Sequence, residues 1–183
     1  MHSWMNLRSA RRGGALLLVS LLAACGGESG GGEPEKSGPP LPAGVNAIAA
    51  DARIAMPAGQ DPACQPASIR KVFREPAEWN GYWQFGLPER CPRPALPAGF
   101  DWSKEMMVFV TMGRRDSPAD SITVQGSGVV GDSVLVVVRR TTRASGCDEP
   151  EVRTWPRDLV RVPATKQPAK FAEQHVRHPC PAA

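Results

Sequence analysis

The chain reads as a mainly β, α+β protein: a small antiparallel sandwich or rolled sheet that carries one short tryptophan-bearing helix. Three observations predict this. Short apolar and β-branched runs recur between turn residues, at 106–112, 121–130, 133–143 and 155–163. Only one stretch, after Pro76, repeats its aromatic residues at helical spacing. Strand and helix patterns do not alternate as the crossovers of a parallel sheet require. Nineteen prolines spread through 183 residues punctuate the chain and work against long helices.

Taken in order, ASIRKVFREP (67–76) predicts a short strand, with Ile69, Val72 and Phe73 beside polar Arg70 and Lys71. Pro76 suits the first turn of a helix, where its missing N–H loses no bond. Trp79, Tyr82 and Trp83 then fall three and one apart on one face. An aromatic stripe of this kind either packs on a sheet or presents a ligand platform, and the amphipathic pattern favours packing. Met106 to Met112 is nearly continuous apolar sequence, the pattern of a central strand covered on both faces. SITVQGSGVV and SVLVVVRRTTR, separated by Gly131–Asp132, form the strongest hairpin signal in the chain. WPRDLVRVP (155–163) reads as the last strand. The tail KFAEQHVRHPC fits either a strand or a helical turn pinned by Cys180.

The front end is of another kind. Arg8, Arg11 and Arg12 precede an apolar run from Ala15 to Ala24, broken by Ser20. A basic region, a short apolar core and small residues at a cut describe a secretory signal. The run is too short for a spanning helix, which needs about 20 residues. Leu22, Ala23 and Ala24 lead directly into Cys25, a pattern that resembles the lipobox of bacterial lipoproteins. That resemblance implies cleavage before Cys25, thioether acylation of its sulfur and acylation of the new amine. The mature chain is then lipid-anchored in the cell envelope. Gly26, with no Asp beside the cysteine, implies onward sorting to the outer membrane where a cell has one.

Residues 25–44 are expected to be the lipidated cysteine and a Gly/Pro/Ser tether, poor in large apolar residues and unable to bury a core. Residues 45–183 are expected to form one domain, with its centre at about 67–165. Removing residues 1–24 takes away three arginines and no acids, so the formal charge falls from +4 to about +1. That near-neutrality excludes a nucleic-acid footprint, which needs basic residues gathered on one face. Cys64, Cys91, Cys147 and Cys180 are an even set in an oxidising compartment and predict two disulfides. Three pairings are open. Cys64–Cys180 with Cys91–Cys147 is the expectation, since it staples the domain's two ends and joins two loops.

AEW and YW at 77–83, AGFDWSKEMMVFVTMGRR at 98–115, GDSVLVVVRR at 131–140 and the WPRDLVRVP end together resemble the PrcB C-terminal-like family of protease complex subunits. The resemblance covers about 67–165. Asp101-Trp102-Ser103-Lys104-Glu105-Met106 carries its first core motif, and Pro156 with Val160-Arg161-Val162-Pro163 its last. Where the family has a Gly-Gly-Tyr-Ser-type segment, this chain has Pro118-Ala119-Asp120-Ser121. The resemblance implies a β-rich protein-binding module, accessory to an exported protease. The loop around Arg114, Arg115, Asp116, Asp120 and Ser121 is the expected contact surface.

Catalytic patterns are sparse. No phosphate loop occurs, and the GxSxG spacing at 27–31 and the GxGxxG spacing at 126–131 fall in the tether and in the predicted hairpin, not at the strand-to-helix turn that a nucleophile elbow or a dinucleotide fingerprint needs. His175 and His178, near Cys180, are the only histidines after the signal, and their HxxH spacing is loose for a metal. Asp116 and Asp120 read as a solvated loop rather than a calcium site. Arg139, Arg140 and Arg143 read as an exposed strand end with Asp148 and Glu149 nearby, or as a contact for anionic lipid or glycan. The expected partners are therefore the membrane, through the lipid anchor, and a protein, with no cofactor, metal or nucleic acid. Two other readings stay open: a structural or stress-protective lipoprotein, and a hydrolase or metal-dependent enzyme using the tail histidines.

Overall fold

Among the described residues, seven strands form two facing sheets, and one helix covers the outer face of the smaller sheet. The computed structural model describes residues 39–57, 64, 67–85, 91–144, 146 and 151–180. The signal, Cys25, Cys147, Asp148 and Glu149 lie outside them. The elements are β1 (Asn46–Ala47), a 3-10 turn (Ala50–Ala52), β2 (Ile69–Phe73), α1 (Pro76–Phe85), β3 (Glu105–Thr111), β4 (Ser121–Val130), β5 (Ser133–Arg143), β6 (Arg157–Pro163) and β7 (Ala169–His178). The larger sheet runs β1-β4-β5-β7 and the smaller β2-β3-β6. The class is the mainly β one expected, with a sandwich-like core.

β3 is central in the smaller sheet and buried on both faces, as its unbroken apolar run predicts. Met106, Val108 and Val110 point between the sheets, against Val124 of β4, Val134, Val136 and Val138 of β5, and Val160 and Val162 of β6. The alternate residues Met107 and Phe109 face the helix. There they meet Trp79 and Trp83 of α1, with Phe73 and Leu159. The stripe on α1 is thus a packing face: Trp79 stands edge-on to Phe73 and to Trp83. Pro76 opens the helix, and the Arg74 N–H donates to the Glu78 carboxylate at 2.6 Å.

β4 and β5 form the predicted hairpin, turning at Gly131, whose φ of 62° suits glycine. Its ladder slips at Gln125, between Val124 and Gly126. The ambiguous tail is a strand, and β7 pairs parallel with β5 over ten residues. This one parallel pair follows from connectivity. β6 lies in the other sheet, so the chain crosses between layers before it pairs with β5.

An arginine–carboxylate pair closes each open side of the sandwich. On one side Arg70 of β2 reaches Glu173 of β7 through Nε at 2.8 Å and through a second, shorter contact. On the other, Arg53 pairs with Asp158 of β6 and donates to the Val124 carbonyl at 2.9 Å. The segment from β1 to Ile54 passes from the edge of β4 to the edge of β6, with Ile54 N–H on the Leu159 carbonyl at 2.9 Å.

Packing also begins upstream of the expected boundary at 45. A methyl group built on Gly128 would stand 1.9 Å from the Gly44 carbonyl oxygen. One on Gly126 would stand 2.9 Å from the Leu41 side chain. Residues 41–46 therefore strap the face of β4, and the two glycines allow the close approach. At the other end, β7 carries the fold beyond residue 165.

The expected disulfide pairing is corrected. Cys64 is bonded to Cys91, not to Cys180, which also rules out Cys91–Cys147. Cys180 is disulfide-bonded too, with its partner outside the described residues. The bond joins the segments before β2 and after α1, where both sulfurs lie near Trp83 and Phe109. It braces the helix on its sheet rather than tying the ends of the domain.

Candidate functional site

The loop expected to contact a partner leaves β3 and returns as β4. Its base is fixed by a backbone bridge between Arg115 and Thr154, with N–H to carbonyl bonds of 2.9 and 2.8 Å. Asp120 is not solvated, against expectation: its side chain is 3% exposed. One carboxylate oxygen accepts Arg115 Nε at 2.5 Å, and the other accepts the Arg143 backbone N–H at 3.1 Å. A buried carboxylate persists only when paired and hydrogen-bonded, and here both conditions hold. Asp120 is thus a staple between the loop and the end of β5. Ser117 turns the loop by accepting the Ala119 N–H on its hydroxyl, at 3.2 Å.

Arg114 and Asp116 lie outside this staple and form an exposed ion pair at 3.1 Å. Ser121 opens β4 with its side chain exposed. The loop and the end of β5 border an open depression of about 210 Å³, lined by Arg114, Arg115, Asp116, Asp120, Thr142 and Arg143. The five sequence-predicted residues thus adjoin one another but divide in role. Arg115 and Asp120 hold the loop, whereas Arg114, Asp116 and Ser121 face outward.

A larger cleft, about 570 Å³, opens at the opposite end of the sandwich, between β1 and the 3-10 turn on one side and the ends of β3 and β6 on the other. Its volume is in the range of small-molecule sites. Its charges are mutually engaged: Arg161 stands 3.2 Å from Asp51 and 3.5 Å from Glu105, and Lys104 stands 3.2 Å from Asp101. The sequence held no signal for this cleft, because residues from four separate segments meet there.

The titration shifts follow local bonding. The Ser103 hydroxyl and N–H, then Lys104, hold the Asp101 carboxyl down at about 2. The Ser133 hydroxyl, then Lys170, lowers Asp132. Burial pushes the Tyr82 phenol up to about 12. Burial also lowers Arg157, which donates to the Pro57 carbonyl at 3.1 Å. Each carboxyl shift favours the form the group already has at neutral pH, as does that of the phenol. None of these is the poising near neutrality that acid–base catalysis uses.

His175 and His178 both lie exposed on β7. Three residues apart on a strand, they point to opposite faces and do not converge on one ion. Among the described residues, no group of three His, Cys, Asp or Glu side chains is placed to hold a metal. No helix among them is long and apolar enough to cross a membrane. Arg139, Arg140 and Arg143, expected beside acidic neighbours, carry no hydrogen bond or ion pair on their guanidinium groups among the described residues. The Nε atoms of Arg139 and Arg140 are buried without a partner. No family profile, no curated protein and no solved structure matches this chain.

Proposed function

We propose that the chain is a non-enzymatic envelope lipoprotein, anchored through lipid on Cys25, whose β domain binds another protein. The observation that carries the reading is the order of residues 8–25: arginines, an apolar run, Leu-Ala-Ala, then cysteine. A Gly/Pro/Ser-rich stretch follows, as a tether requires. The resemblance to PrcB C-terminal-like subunits makes an exported protease, or its complex, the partner class. The outward residues Arg114 and Asp116, on a loop whose base is stapled by Asp120, support a preformed contact surface there.

Two measurements test this separately. Intact mass and labelled-palmitate incorporation are expected to show acylation of the wild-type chain that Cys25→Ala abolishes; equal labelling of both overturns the anchor. Crosslinking in intact membranes is expected to recover one dominant protein partner. Arg114→Glu with Asp116→Arg is expected to reduce that crosslink at least tenfold. Recovery of no protein above background overturns the binding role.

A further inference from the structure

The cleft beside β1 leaves a core position uncovered. Val129 of β4 stands opposite Val134 of β5, and residues directly opposite share a sheet face. Val134 is buried between the sheets, so Val129 faces inward too. Yet Val129 is 53% exposed, where the cleft of about 570 Å³ opens over it. Val134, Val162 and Ile48 continue this apolar wall, and all three pack on the core.

Two uncharged polar groups stand on the same face. Ser127 lies opposite Val136 in one ladder and opposite Asn46 in the other, which places the side chains of Ser127 and Asn46 inward, beside Val129. Both residues line the cleft. Ser127 is 7% exposed, and its hydroxyl makes no hydrogen bond among the described residues. A buried hydroxyl left unbonded costs free energy that a ligand's polar atom would return. The Asn46 carboxamide is also without a hydrogen bond among the described residues. Hydroxyl and carboxamide together offer both donors and acceptors.

The charged residues nearby leave no free charge on this face. Arg161 lies opposite Met107, which packs under the helix, so Arg161 turns away from the space between the sheets. Glu105, two residues before Met107, points the same way. Arg161 holds Glu105 and Asp51, and the exposed Lys104 holds Asp101. An ion entering the cleft would shed its hydration with no counter-charge to meet it.

We infer that the cleft is a binding site for a small neutral molecule with an apolar body and an amide group. The body lies on Val129, Val134, Val162 and Ile48. The amide, itself both donor and acceptor, exchanges hydrogen bonds with the Ser127 hydroxyl and the Asn46 carboxamide. The site lies at the opposite end of the sandwich from the protein-binding loop and rests neither on that loop nor on Cys25.

The test is methyl NMR of the full mature chain in phosphatidylcholine nanodiscs, or free in buffer should it carry no acyl group. Hexanamide is the probe, and hexanoate and hexylammonium are its charged counterparts. Hexanamide is expected to shift the methyl resonances of Ile48, Val129, Val134 and Val162 saturably at roughly millimolar concentration, with Leu159 on the helix side unchanged. Both charged analogues are expected to bind about tenfold more weakly. Val129→Trp, at an exposed position, fills the mouth and is expected to abolish the shifts. Ser127→Ala is expected to weaken binding about fivefold with no loss of stability, since it removes an unbonded hydroxyl. The inference is overturned by the absence of a saturable shift at the cleft, by equal binding of the three probes, or by unchanged binding in either variant. Shifts at these methyls that grow with protein concentration, with no amide added, also overturn it, because a second copy of the chain would then fill the cleft.

Discussion

The carboxylate of Asp158, on β6, accepts the backbone N–H of Val124, on β4, at 2.8 Å, a bond that crosses from one sheet to the other. β1 pairs with β4 only at Gly126 and Ser127, which leaves the Val124 N–H on that edge to the carboxylate. Arg53 completes the node by pairing with the same carboxylate and donating to the Val124 carbonyl. One aspartate therefore fixes two strands and the segment that seals them.

Removing that carboxylate leaves the Val124 N–H and the Arg53 guanidinium without their acceptor. Asp158→Ala is expected to lower unfolding free energy by about 3 kcal/mol in chemical denaturation. Asp158→Asn keeps an oxygen for Val124 and loses only the charge, so it is expected to cost about half as much. Equal loss in the two variants would show that the N–H bond contributes nothing.

The strap over β4 makes a second prediction. Alanine at Gly128 would force a methyl group against the Gly44 carbonyl oxygen and the Val45 backbone, which have no flexible end to move. Gly128→Ala is expected to destabilise by about 3 kcal/mol and to expose residues 39–48 to limited proteolysis. Gly81→Ala is the contrast. Gly81 lies inside α1 with nothing within 4 Å of the added methyl, so the change is expected to stabilise by about 0.5–1 kcal/mol.

Cys91→Ser opens the loop from Cys64, a sequence separation of 27. Chain entropy alone puts that closure at about 3.5 kcal/mol. The variant is expected to lose stability of that order and to free the helix end, seen as increased quenching of tryptophan fluorescence. Peptide mapping without reduction is expected to yield a Cys64–Cys91 crosslink.

What the sequence revealed and what it concealed divide along physical lines. Periodicity reports burial within a local window. The run at 106–112 thus announced a strand buried on both faces, and the Val-rich hairpin announced its two strands and its turn, though not the slip at Gln125. The stripe Trp79, Tyr82, Trp83 told of packing for the same reason. Contacts between distant segments leave no such trace. Cys64 and Cys91 had no local reason to prefer each other, and the strap over Gly126 and Gly128 joins residues some 84 apart in sequence. Asp120 looked solvated because it sits in a turn-rich loop, yet that loop folds Arg115 back onto it and the Arg143 N–H meets it from a separate strand. The tail was ambiguous because alternation of Phe171, Glu173 and His175 is weak, and its partner β5 decides its form.

Tyr82 is the chain's only tyrosine, so its ionisation can be followed directly by tyrosinate absorbance. Its hydroxyl is buried without a hydrogen-bond partner, and burial raises its pKa from 10.0 to about 12. Folding therefore favours the neutral phenol. The linked stability is fully present below pH 10 and is lost as pH rises from 10 through about 12. The wild-type chain is expected to lose more stability over that interval than Tyr82→Phe, which has no phenol to ionise. At neutral pH the same variant removes an unsatisfied polar atom while keeping the ring against Phe73 and Trp83, and is expected to gain about 1 kcal/mol. Denaturation of the two chains at pH 7, 9, 10, 11 and 12 checks both signs. Parallel pH curves would mean that the phenol ionises as freely in the folded chain as in the unfolded one.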